Sequence, residues 1–181
     1  MSTAANEPKY SPLAIAIHWI VALCVVALIP AGIILARLDE GPLQERMAFV
    51  HQSVGILVLA LTIVRLAMRA MGRMPPPASV LTSFERVASR AAHFSLYVLL
   101  LITPIVGVLG LNAYGDEATF FGLFRMPAIL AKDEELSDQI FAVHLACGLL
   151  IALVVLAHIV GAVVHKLRKD GVNERMLPGA R

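Results

Sequence analysis

The sequence predicts an all-α integral membrane protein, a bundle of four transmembrane helices, and three observations carry that expectation. Of its 181 residues, 59% are hydrophobic and 15% charged, with a mean hydropathy of +0.79. Soluble domains run near 45–50% apolar and about 25% charged. Four runs each exceed the about 20 apolar residues that carry a helix across the hydrocarbon core. Basic residues, finally, gather at alternate ends of those runs, as they do in multi-spanning chains. The length admits one domain. A formal charge of +2, scattered along the chain, gives no footprint for nucleic acid.

The spans are expected at residues 13–35, 47–68, 92–113 and 140–164, so that 13–164 forms the membrane domain between a tail at 1–12 and another at 165–181. The first dozen residues are polar and the first span is too long for the apolar core of a secretory signal, so no cleaved leader is expected. Pro30 and Pro104 fall inside spans, which bilayer helices tolerate when neighbours satisfy the freed carbonyls. Pro75, Pro76 and Pro77 interrupt any helix between the second and third spans. Residues 114–138 join the third and fourth spans. Their stretch ATFFGLFRMPAIL is either an amphipathic segment along the interface or a plain loop. Cys24 and Cys147 lie in apolar runs and read as small buried hydrophobes rather than a disulfide.

Four spans place both termini on one side. Eleven Lys and Arg residues belong to the termini and the central connection, against Arg37, Arg46, Arg125 and Lys132 on the opposite side. The positive-inside rule therefore puts both termini in the cytoplasm and makes this a multi-pass inner-membrane protein.

Ionisable residues within a bilayer are costly and mark function. His18, near the start of the first span, and His158, late in the fourth, reach a similar depth near the cytoplasmic face. His51 and His144 begin the second and fourth spans at the outer face. His144 and His158 are 14 residues apart, roughly 21 Å along the axis and close to four turns, so both rings leave one helix face. His51 with Gly55 and His144 with Gly148 each read H-x-x-x-G. Residues four apart share a helix face, so each glycine clears space where a flat macrocycle could lie. Gly107 and Gly161 are placed to act similarly. Close helix packing is the competing reading of such glycines.

A lone membrane histidine is often a packing residue, but two depth-matched pairs are poorly explained so. Each level offers two imidazoles and neither cysteine nor carboxylate nearby, whereas a closed zinc site takes four ligands. Two axial nitrogens per level suit haem, and with no Cys-x-x-Cys-His in the chain the group would be held by axial ligation alone. The expected cofactors are two b haems, with His18, His158, His51 and His144 as the iron ligands.

Tyr10-Ser11-Pro12-Leu13, Ile17-His18-Trp19, the H-x-x-x-G at His51, Val64-Arg65-Leu66 with Arg69, and the His144/His158 spacing together resemble bacterial cytochrome b561. The resemblance runs from residue 10 to 166 and is nearest to the di-haem proteins described as superoxide oxidases. It implies the ligand pairs His18/His158 and His51/His144, oxidation of superoxide to dioxygen at the outer face, and reduction of ubiquinone near the inner haem.

His165 lies seven residues after His158 beside Lys166, as either a hydrogen-bond or proton donor to a quinone carbonyl or an ordinary interfacial residue. His93 carries the same ambiguity. Trp19 and Tyr10 read first as aromatic-belt residues. Arg65 and Arg69 are expected to snorkel to the cytoplasmic interface, toward inner-haem propionates. On the outer side nine carboxylates face four basic residues, a balance that favours a cationic redox protein over a small anion as electron donor. Arg46, five residues before His51, is the cation placed to attract superoxide there. Two redox readings therefore stand: superoxide-to-ubiquinone transfer, and a relay serving another periplasmic donor or a partner dehydrogenase. A non-redox membrane scaffold is the third class.

Overall fold

Each helix starts where a side chain or a proline satisfies the first turn. Ser11 accepts from Ala14 N at 3.2 Å and Pro12 follows it, opening α1, Pro12–Leu35. Pro42 opens α2, Pro42–Ala70. Thr82 and Glu85 form a reciprocal capping box at the head of α3, Ser83–Tyr114, and Gly115 closes it in the left-handed region at φ 105°. The Asp133 carboxylate accepts from Leu136 N at 3.0 Å and opens α4, Glu134–Arg168. These elements are those of a computed structural model, which describes residues 8–178; the outer parts of both expected tails, 1–7 and 179–181, lie outside the described residues.

All four helices are long and apolar enough to cross a membrane. They extend beyond the expected spans because hydropathy marks only the part inside hydrocarbon, while capped polar turns carry the helix into the interface. The connection between α3 and α4 is correspondingly shorter than expected and runs from Gly115 to Asp133. Its aromatic stretch is neither an amphipathic helix nor a plain loop. Thr119–Phe120 (β1) pairs antiparallel with Phe124–Arg125 (β2), the chain reversing through Phe121 and Gly122 at positive φ. This hairpin rests on α2: Ser53, fully buried, donates to Thr119 O at 3.2 Å and accepts from Phe121 N at 3.0 Å.

Packing runs around the bundle, chiefly α3 on α4, α1 on α2 and α2 on α3. The contact of α1 with α4 is slight, and among the described residues α2 and α4 do not pack directly. The interior thus stays open where α4 faces α1 and α2. The packed apolar core is small and lies mainly on α1, around Ala14, Ile17, Val21 and Val25 with Val58, Leu99 and Ile151. Cys24 and Cys147 are both free thiols.

Past α4 the chain turns at Lys169 (φ 54°) and forms a short 3₁₀ turn, Asn173–Arg175. Arg175 is only 5% exposed. Its guanidinium donates to Pro8 O (2.9 Å) and Pro76 O (2.7 Å) and lies 5.6 Å from the centre of the Tyr10 ring. Trp19 Nε1 donates to Met176 O at 2.9 Å. One arginine therefore ties three separate chain segments over the terminal end of the bundle. Replacing it by alanine strands two carbonyls, so Arg175→Ala should lower stability by about 2–3 kcal/mol, read as an earlier thermal unfolding of the detergent-solubilised protein, with Arg175→Lys intermediate.

Candidate cofactor site

Four of the six histidines meet in pairs across the open interior. At the level away from the termini, His51 of α2 and His144 of α4 have ring centres 6.1 Å apart. At the terminal-side level, His18 of α1 and His158 of α4 stand 6.4 Å apart. A metal–imidazole bond is near 2 Å, and a ring nitrogen lies roughly 1.1 Å from the ring centre. Two rings on opposite sides of one metal atom are therefore separated by about 6.2 Å. Both pairs have that spacing. His93 of α3 also reaches the terminal-side level, but its ring is 5.2 Å from His158, too close for a shared atom between them.

The rings are oriented by the helices around them. His144 Nδ1 donates to Thr103 O at 3.0 Å, which leaves its Nε2 with the lone pair a metal needs. A Cβ added at Gly107 would lie 3.0 Å from the His144 ring, and one at Gly32 would lie 3.1 Å from His51. Gly107 thus leaves room for the imidazole, and it also borders the interior cavity. Gly32 has the same role, and the H-x-x-x-G pattern gave no sign of it. A Cβ at Gly55 or Gly148 meets nothing within 4 Å, and both residues border the same cavity of about 930 Å³. Gly161 also faces open space but does not border that cavity.

The cavity is walled by all four helices and includes His51, His144 and Thr103. His51 Nδ1 and the Thr103 hydroxyl are buried there without a protein partner. A roomy, largely apolar space with two opposed imidazoles and orphaned polar atoms fits a large planar metallocofactor. The residues do not suit a bare metal ion, since among the described residues no group of three His, Cys, Asp or Glu side chains is arranged to hold one.

The remaining expected residues are placed as follows. Arg46 and His51 line a second, smaller pocket of about 290 Å³ between α1 and α2. Of the other basic residues at that end, Arg125 pairs with Glu117 at 2.8 Å and Lys132 with Glu134 at 3.0 Å. Glu40, Glu45, Asp116 and Glu117 rim the larger cavity. His165 is not beside either pair; its Nδ1 donates to Asp170 Oδ2 at 2.6 Å beyond the terminal-side level. His93 donates from Nδ1 to Ser89 O at 2.6 Å. Arg69 is exposed, whereas Arg65 is partly buried and donates at 3.2 Å to Ala14 O, in the first turn of α1 at the terminal end of the bundle.

A four-helix membrane bundle with paired interior histidines defines a membrane cytochrome of b type. Residues 9–179 match the family described as prokaryotic cytochrome b561, and the chain belongs to that family, whose members carry b haem and transfer electrons in membranes. It is 29% identical to cytochrome b561 homolog 2 of Escherichia coli over 98% of this chain and 95% of that protein. It is 30% identical to the probable superoxide oxidase CybB of Yersinia pestis over 96% of this chain and 98% of that one. To cytochrome b562 of Cereibacter sphaeroides the identity is 28%, over 95% and 97%.

Because the Gly107 contact is with the ring of His144, Gly107→Val should cut haem bound per chain by about half. Gly161→Val, set in open space, should leave it unchanged, with pyridine haemochrome assay of the purified proteins as the measurement.

Proposed function

We propose that this chain is a transmembrane di-haem cytochrome that oxidises superoxide to dioxygen at the periplasmic face and reduces ubiquinone at the cytoplasmic side. In this reading His51 and His144 would hold an outer haem, and His18 and His158 an inner one. The observation that carries it is the recurrence, at two levels of one bundle, of histidine rings spaced for a single iron. When bound, haem iron supplies the one-electron chemistry that protein side chains lack. Each superoxide releases one electron as it becomes dioxygen. Ubiquinone takes two electrons and two protons to become the quinol, so two superoxide ions are consumed for each quinone.

The chain's own residues supply the surroundings. Thr103 O sets the tautomer of His144. Arg46 bears the charge nearest His51 at the outer pocket, and among the described residues it has no ion pair. Its exposed charge would draw a small anion toward the outer level. The hydrogen-bonded His165–Asp170 pair, at the cytoplasmic end in this topology, is suited to deliver a proton to a quinone oxygen. Both termini lie in the cytoplasm in this arrangement, by the basic residues on their side. The name of the Yersinia pestis relative supports superoxide as the donor.

One observation favours a second donor. The carboxylates around the mouth of the larger cavity, with Arg125 and Lys132 neutralised by ion pairs, would attract a basic periplasmic redox protein.

His144→Ala and His158→Ala should each keep one haem of two, counted per chain with a reduced-minus-oxidised spectrum. In proteoliposomes with a ubiquinone analogue, a superoxide generator should reduce the wild-type protein well ahead of His51→Ala, and Arg46→Gln should slow it severalfold at low salt. Equal rates in wild type and His51→Ala would rule out superoxide as the donor. Rapid reduction by a basic soluble cytochrome, lost as salt rises, would establish the relay instead.

A further inference from the structure

The bundle repeats one interval on every helix. Residues 14 apart are His18 and Gly32 on α1, His51 and Arg65 on α2, His93 and Gly107 on α3, His144 and His158 on α4. Fourteen residues are close to four turns, so each helix presents one member of its pair at each level on nearly the same face. The far level is built from Gly32, His51, Gly107 and His144, where the two glycines back the two imidazoles. The terminal-side level is built from His18, Arg65, His93 and His158. Only that second set contains a permanent charge.

Arg65 occupies on α2 the place that His51 occupies one level away. Its guanidinium donates to the carbonyl of Ala14, a fully buried residue in the first turn of α1, four residues before His18. Among the described residues it has no carboxylate partner. Arg65 is the cation nearest His18 and His158, and with Arg69 it also faces His93; at the far level the nearest cation is the exposed Arg46, beside His51. An unpaired guanidinium within the membrane is costly to keep, and here it sits where it favours any neighbour that becomes less positive.

We propose that Arg65 raises the reduction potential of the terminal-side haem above that of the far haem, and so gives electron flow through the bundle its direction. Gaining an electron lowers the charge of the iron site by one unit. A fixed positive charge nearby in a poorly screened interior stabilises that reduced state, whereas the cation near the far level, Arg46, is exposed and therefore better screened. Arg65 acts through its field, held in place by Ala14, and ligates nothing. The proposal rests on the paired-histidine reading of the two levels.

The test is a redox titration of the purified holoprotein, followed in the α-band, for wild type, Arg65→Gln and Arg65→Lys. Haem is counted first: fewer than two per wild-type chain would defeat the ligand assignment itself, apart from any role of Arg65. With two present, Arg65→Gln should lower only the higher-potential component. At a fixed applied potential its reduced-to-oxidised ratio should fall about tenfold. Arg65→Lys, which keeps the charge, should stay near wild type. The component that moves should be the one retained in His51→Ala. The proposal is overturned if neither component moves, if both move equally, or if the lower one moves. It is equally overturned if Arg65→Gln loses a haem, since Arg65 would then hold the group instead of tuning it. Should Arg65→Gln fail to fold, a tenfold fall in Arg65→Lys would by itself refute a charge effect.

Discussion

Hydrocarbon offers the backbone no hydrogen-bond partner, so each chain segment inside it must satisfy its own amides, and helix is the only open-ended way to do so. Everything else in this protein is arranged within that constraint. Once the chain is helical, side chains advance by about 1.5 Å and 100° per residue, and positions 14 apart return to the same face at two depths. The histidines and glycines follow that ruler. Polar side chains then have only the bundle interior in which to meet, and the interior is open because α4 packs on α3 while leaving α1 and α2 largely untouched.

The same constraint explains the scarcity of buried side chains. α4, with its apolar surface turned to lipid and to the cavity, buries little more than Ser137 and Ile151. A bundle whose centre is a cavity of about 930 Å³ leaves much of its interior contact area to the group that fills it. Its own bracing lies at the ends. Ser137 Oγ donates to Gly110 O and Ser53 clamps the hairpin at one end, while Arg175 gathers three segments at the other.

The four spans and the depth of each histidine were legible because hydropathy and residue count are one-dimensional quantities. Helix ends were less so, since the turns from Pro42 to Arg46 and from Ser83 to Ala91 are polar and hydropathy stops short of them. The hairpin escaped notice because two-residue strands have no periodicity, and its register depends on Ser53 some 66 residues away. The sequence names no partner ring for Gly107 and gives no sign of Gly32. Which ring a glycine backs depends on how two helices face each other, and nothing local to either helix records that. The partner of Arg65, the carbonyl of Ala14, lies 51 residues away on another helix, and no local pattern names it.

By itself the sequence determined that this chain crosses a membrane four times and brings two pairs of histidines to two depths. Both follow from composition and from the regular rise of a helix. Only the tertiary structure decided that the rings of each pair stand about 6 Å apart, at 6.1 and 6.4 Å. It alone showed that His93 stands too near His158 to be its opposite number, and that the Arg65 guanidinium is held by the Ala14 carbonyl of another helix. Those are relations between helices distant in sequence, set by how their faces pack, and no spacing along one chain contains them.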